Sequence, residues 1–317
     1  MIDYKAKVEA AAKRSRPYIR RTPIEHSPYL SSLAKANVFL KLDNIQRTGS
    51  FKFRGAISKM TSLSDKEKSN GVVTASTGNH GAACSLAMSE LGIDGKIIVP
   101  ENAHKNKVEN ILSLGGEVEY YGDDCIHAEE RAQEISKTTG ATYISPYNDE
   151  VIVCGQGTLG MEISEDLKGV DAIFISVGGG GLISGVGGYL KSVNQSIQVH
   201  GVSPKNSCVM YESLSAGKQL DLPSKPTLSD GTAGGVEFGS ITFEMCKKVV
   251  DHFTLVSEDE IAKGIQIGLE KNHQLIEGAA GAAIAGFINQ KEKIKGQTVV
   301  LVMCGGNISS AVLKSIL

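Results

Sequence analysis

The feature that most constrains this chain is a recurring unit: a short apolar, β-branched run ends in a turn of glycine and hydroxyl residues and leads into a helical pattern. Strands are expected at Val38–Leu42, Gly71–Thr74, Lys96–Val99, Glu117–Tyr121, Ala172–Ser176, Gln198–Val202 and Thr298–Met303. Amphipathic stretches such as Gly81–Leu91, Lys105–Leu114 and Ile126–Thr138 lie between them. Strands that alternate with helices imply parallel sheets covered on both faces, so the expected class is α/β, with two open, mostly parallel sheets flanked by helices. A length of 317 residues accommodates two such units. Segment 70–148 holds four compact β/α alternations and reads as a small inserted α/β domain, with 1–69 and 149–317 forming the larger domain around it.

Open α/β sheets bind ligands beyond the carboxyl ends of their strands, and the unusual residues of this chain fall at those ends. Lys52 stands between Phe51 and Phe53 in Thr48-Gly-Ser-Phe-Lys-Phe-Arg-Gly-Ala56. Desolvation by such neighbours lowers the pKa of an amine and makes it a nucleophile, whereas a lysine lying along apolar surface with its head in water would look the same in sequence. Ser76-Thr77-Gly78-Asn79-His80-Gly81 follows the strand ending at Thr74 and precedes a helix. Free backbone amides there, with hydroxyls and an amide side chain, suit a carboxylate, although an ordinary capped turn uses the same residue types.

Gly178-Gly179-Gly180-Gly181-Leu182 repeats the arrangement after Ala172–Ser176. Four adjacent glycines cost backbone entropy, which a merely flexible loop would not justify, and they let successive amides converge on a phosphate. The loop is not a dinucleotide fingerprint, because Ser184 takes the place of the third glycine and the next strand ends Gly201-Val202-Ser203 without a carboxylate. Nor is it a P-loop, since no lysine follows the glycines. Cys304, in Met303-Cys-Gly-Gly-Asn307 after the last strong strand, is either a buried structural thiol or a partner for a ring nitrogen.

Composition removes other classes. A net charge of -2, with no cluster of basic residues, gives no field for nucleic acid or an anionic membrane. No stretch approaches the ~18 apolar residues of a membrane span, and the N-terminus lacks a secretion signal's apolar core. The six cysteines lie far apart without a C-x-x-C pair, which argues against zinc and disulfides and for a reducing cytoplasm.

Taken in order, these segments resemble the serine/threonine dehydratase and serine racemase family of fold-type II pyridoxal-phosphate (PLP) enzymes, the tryptophan synthase β-like group. The resemblance runs from Lys41-Leu-Asp-Asn44 to Cys304-Gly-Gly-Asn307 and includes Gly155-Gln-Gly-Thr158 and Ile276-Glu-Gly-Ala-Ala-Gly281. It implies PLP bound between two domains and α,β-elimination from L-threonine or L-serine to a 2-keto acid and ammonia. By the same resemblance, Lys52 carries the cofactor and acts as the α-proton base, with Phe51 beside the ring. Asn79 bonds the ring's 3-hydroxyl, Gly178, Gly179, Gly180, Gly181 and Leu182 hold the phosphate, and Cys304 faces the pyridine nitrogen. Ser76, Thr77, Gly78 and His80 lie along the loop that holds the substrate carboxylate. A neutral thiol at the ring nitrogen leaves a weaker electron sink, which suits elimination. In the family the cofactor phosphate helps the β-hydroxyl leave.

Several departures from the family pattern carry expectations. Thr77 takes the place of the serine that serves racemases as a second acid/base and is counted as catalytic, so racemisation is less favoured. Ser203 and Val209 stand where racemases have metal-binding glutamate and aspartate, so no metal site is expected. Gly278 replaces the usual proline after Glu277. The glycine-rich Thr232–Ser240 segment is expected to approach the cofactor, and it resembles the dehydratase branch that handles hydroxylated compatible-solute breakdown products more than the racemase branch. With the sequence ending at Leu317, the regulatory C-terminal domain of the biosynthetic threonine deaminases is not expected. The expected assembly is a homodimer acting on a small amino acid. A serine racemase or hydroxyaspartate dehydratase/racemase is the nearest alternative, and a non-catalytic binder of an amino acid or PLP is the alternative of another class.

Overall fold

The computed structural model describes residues 2–317. The first part of the chain forms α1 (Tyr4–Ser15), β1 (Ile24–His26), α2 (Pro28–Ala34), β2 (Asn37–Leu42), α3 (Lys52–Ser62) and α4 (Asp65–Asn70). The next forms β3 (Val72–Ala75), α5 (Asn79–Leu91), β4 (Gly95–Val99), α6 (Lys105–Ser113), β5 (Glu117–Tyr120), α7 (Cys125–Thr139) and β6 (Thr142–Tyr143). Then come α8 (Glu150–Asp166), β7 (Ala172–Ser176), α9 (Gly181–Val193), β8 (Gln198–Pro204), α10 (Val209–Ala216) and α11 (Ile241–Val249). The chain closes with β9 (His252–Val256), α12 (Glu258–Asn272), α13 (Gly278–Gln290), β10 (Thr298–Met303) and α14 (Ser310–Ile316).

Six strands form one sheet in the order β1-β2-β10-β7-β8-β9 and four form another in the order β5-β4-β3-β6. Every pairing is parallel except β1 with β2. The α/β class with mostly parallel sheets is therefore as expected. The seven strands expected from sequence all form, and the additional ones are β1, β6 and β9. β1 and β9 are edge strands with half-exposed or exposed positions, and β6 has two residues, so none shows the continuous apolar run of a strand covered on both faces.

The central strands bury nearly every side chain, as in Ala172–Ser176 and Val72–Ala75. The larger core joins the six-stranded sheet to α8, α9 and α13 through Leu159, Ile183, Val186, Ile284 and Phe287. The second core lies against the four-stranded sheet and draws Phe53, Ala56, Ile57 and Met60 from α3. Helix starts are fixed by side-chain caps: Asp149 takes the amides of Val151 and Ile152, and Ser64 with Glu67 and Ser257 with Glu260 form capping boxes. The helices that start at the cleft, α3, α5, α9 and α13, have no such side-chain cap.

Candidate active site

The carboxyl ends of β3, β7 and β10 open on one cleft of about 2310 Å³, lined by Lys52, Ser76–His80, Gly178–Leu182, Glu277 and Cys304. Lys52 begins α3, and the segment before it is tied to the end of β10. Phe51 N–H donates to Cys304 O at 2.9 Å, Ser50 bridges Gly305, and Gly306 N–H donates to Gly49 O at 2.9 Å. The two phenylalanines flanking the lysine part company. Phe51 packs beside the cleft with Lys52 Nζ 5.3 Å from its ring centre, while Phe53 enters the second core.

Lys52 Nζ donates to Pro146 O at 2.9 Å and forms no ion pair among the described residues. Burial lowers its pKa to about 8, against the weaker opposing pull of Cys84, Cys304 and Glu277. Behind it on the same helix, Arg54 is fully buried and held by Asp43 (2.7 and 2.8 Å) and by Glu162 (2.6 and 2.9 Å). Lys41 adds a bond to Glu162 at 2.6 Å, and Thr22 Oγ1 donates to Asp43 at 2.7 Å. This closed network joins the end of β2 and the turn at Asp43 to α3 and α8 behind Lys52.

The glycine loop turns its carbonyls backward. Thr242 Oγ1 donates to Gly179 O at 2.6 Å, and Gly180 O accepts from Ser184 N–H at 3.0 Å and Cys246 Sγ at 3.8 Å. The amides of Gly178 through Leu182 form no hydrogen bond within the protein among the described residues and are left for a ligand at the start of α9. Gly180 has φ +83°, and a side chain on Gly179 would run into the Tyr147 ring. Backbone donors, no side chains and a helix N-terminus together match a phosphate.

Across the cleft, Ser76, Thr77, Gly78 and Asn79 are half-buried at the start of α5, with Gly78 N–H donating to Ser76 Oγ at 3.2 Å. His80 differs. Its ring is 4% exposed, turned from the cradle and bonded through Nε2 to Ile144 O at 2.9 Å. Burial and nearby Lys52 lower its pKa to about 3, so it is a neutral donor to that carbonyl and can offer the cradle only its backbone amide.

Cys304 Sγ lies 3.4 Å from Ser176 Oγ, and burial, reinforced by Glu277, pushes the thiol up to about 12, so it is neutral at physiological pH. Glu277 accepts from Asn79 Nδ2 at 2.9 and 3.1 Å and from Asn307 N–H at 3.1 Å. Gly278 follows it where a Cβ would collide with the Leu228 carbonyl oxygen, leaving no room for a side chain. The Thr232–Ser240 segment reaches the cleft, where the Thr232 backbone backs Gly178 and Tyr147 Oη accepts from Glu237 N–H at 2.9 Å. Sequence reading passed over Pro146 and Tyr147, which look like ordinary loop residues. The turn pair Ser145-Pro146 after β6 was the only signal, and it says nothing of the amine it meets. Ser203 Oγ donates to Val177 O at 2.6 Å and Val209 is buried. Among the described residues no group of three or more His, Cys, Asp or Glu is placed to hold a metal.

Residues 15–305 match the family model described as pyridoxal-phosphate dependent enzyme. The chain is 40% identical to the L-threonine ammonia-lyase of Thermotoga maritima over 301 residues, covering 95% of this chain and 75% of that protein. The structure of the processed form of threonine deaminase isoform 2 from Solanum lycopersicum superposes with a TM-score of 0.94 at 34% identity, covering 99% of this chain and 91% of that one. Maize serine racemase gives a TM-score of 0.93 at 31% identity, covering 98% and 95%.

Proposed function

Since the chain belongs to the family of pyridoxal-phosphate-dependent enzymes, we propose that it removes water from L-threonine or L-serine and releases a 2-keto acid and ammonia. The observation that carries this reading is a desolvated amine, without a carboxylate partner, set between the free amides of the glycine loop and the hydroxyl-lined start of α5. Pyridoxal phosphate supplies the electron sink that takes up charge developing at the substrate α-carbon. The amides of Gly178, Gly179, Gly180, Gly181 and Leu182 suit its phosphate, the Asn79 amide and the neutral Cys304 thiol suit the polar positions of its ring, and the Phe51 side chain suits the ring's flank.

In this reading the start of α5, with Ser76, Thr77, Gly78 and the His80 amide, orients the substrate carboxylate. Lys52, with its pKa near 8, is poised to take the α-proton close to neutrality. Water then leaves from the β-carbon, and the released enamine is hydrolysed by water to the keto acid and ammonia. The Thr77 hydroxyl, half-buried in the cleft, supports a secondary racemase activity in which it delivers a proton to the opposite face. The sheet membership supports a division into residues 1–69 with 149–317 and an inserted unit 70–148, with α3 leaning across it. A homodimer and a cytoplasmic location complete the proposal, supported by the exposed Tyr29, Leu33 and Leu275 and by six free cysteines.

Borohydride treatment of the holoenzyme is expected to fix a pyridoxyl group on Lys52, and Lys52→Ala to abolish the visible cofactor band and turnover. Incubation with L-serine should give pyruvate in excess of D-serine. Dominant D-serine would favour the racemase reading, and label at another lysine would refute the assignment of Lys52.

A further inference from the structure

Glu277 lies at the N-cap of α13, 4% exposed, with both carboxylate oxygens on one nitrogen, Asn79 Nδ2. On the far side of the same amide, Asn79 Oδ1 accepts from Asn307 Nδ2 at 2.7 Å. The second hydrogen of Asn307 Nδ2 goes to Thr48 O at 2.9 Å. Donor and acceptor chemistry therefore fixes the orientation of Asn79. A carboxylate only accepts and Asn307 Nδ2 only donates, so the Asn79 nitrogen must face Glu277 and its oxygen must face Asn307. One Asn79 N–H is used at Glu277 and the other remains for a ligand. Gly305 makes room for this, because a side chain there would collide with Glu277 Oε1.

We propose that Glu277 is a positioning residue: its carboxylate sets the Asn79 amide, and through it the hydrogen bond offered to the cofactor ring, so that protonating Glu277 retunes the bound cofactor. This rests on the reading of Asn79 as the partner of the ring oxygen. Burial raises the Glu277 carboxyl to about 7, with Asp230 pushing it further up and the bonds from Asn79 and Asn307, with Lys107, pulling it down. The titratable groups facing it are Lys52 from α3, Lys107 from α6, Asp230 from the turn before Thr232, and Cys304 from the end of β10. Above neutrality the group is a pure acceptor and holds the amide. Below it, the added proton turns one oxygen into a donor that competes with Asn79 Nδ2.

The experiment is a pH titration of the visible absorption of the holoenzyme, in wild type and in the variants Glu277→Gln, Glu277→Asp and Asn79→Ala. The wild-type spectrum is expected to change with a midpoint near 7. Glu277→Gln is expected to lose that transition while keeping a cofactor band. Glu277→Asp, which keeps the charge on a shorter arm, should restore the transition with a shifted midpoint. Superimposable wild-type and Glu277→Gln profiles in proteins that hold cofactor would overturn the proposal and leave the enzymatic reading standing. An Asn79→Ala spectrum identical to wild type would overturn it by removing the link through the amide. Were Glu277→Gln not to fold, an unshifted midpoint in Glu277→Asp would count against it equally. A wild-type protein that binds no cofactor would overturn the proposal and the functional reading together.

Discussion

The cradle at α9 and the cradle at α5 share one plan of strand, turn and helix start, but the protein supports them differently. At α9 the loop is backed on every side, with Gly178 against the Thr232 backbone, Gly179 against the Tyr147 ring and Gly180 against Cys246. Its carbonyls are bonded to Thr242, Ser184 and Cys246. At α5, a methyl group on Gly78 would meet nothing within 4 Å, and the turn carries hydroxyl side chains of its own. A mould packed from behind suits a group that stays through every turnover. An open turn lined with rotatable hydroxyls suits one that enters and leaves. Under the proposed function, resident and transient anions are told apart by what stands behind the backbone of two similar helix starts.

That contrast can be broken most decisively at Gly179. Replacing it with Asp puts a carboxylate into the loop and a Cβ against Tyr147, and cofactor affinity in an equilibrium titration should fall at least ~100-fold, the scale of an unpaired buried charge together with a steric clash. Unchanged affinity would mean the loop holds something else. Thr77→Val keeps the volume and removes the hydroxyl, so KM for L-threonine should rise about tenfold, one lost hydrogen bond to a charged group, with cofactor affinity unaltered. A matching loss of cofactor affinity would erase the division of labour. Thr242→Val removes the 2.6 Å bond to Gly179 O without touching any ligand. Cofactor affinity is expected to weaken about fivefold, near the ~1 kcal/mol of a neutral hydrogen bond, at constant KM. Smallest of all, Gly78→Ala adds a methyl group to open space at φ −104°, and melting temperature and cofactor affinity should stay at wild-type values. A large loss at Gly78 would show that the α5 cradle is as tightly backed as the other.

Strand-turn-helix units, the glycine loop and the position of Lys52 could be read from sequence because each depends on residues adjacent in the chain. Contacts made by distant segments could not. Nothing near His80 in sequence reveals that Ile144 O, 64 residues away, captures its ring. Glu277 could be named from its motif, but its hold on Asn79 spans 198 residues and depends on Gly305 leaving space. The same holds for α3, whose Lys52 faces the cleft while Phe53, one position on, belongs to the other core. Edge strands β1 and β9 were missed because half-exposed strands carry no strong apolar signature.

The buried set of Lys41, Asp43, Arg54 and Glu162 also restricts how this protein can vary. Any single neutral replacement strands an opposite charge away from water, which costs about 3–5 kcal/mol, a large part of a domain's stability. Apolar side chains could fill the same space only if all four positions changed together, so the intermediates on that path are poorly folded. Sequence drift is therefore blocked beside Lys52 by a group that does not line the cleft, and an engineer who wishes to reshape that end of α3 must redesign the whole quartet in one step.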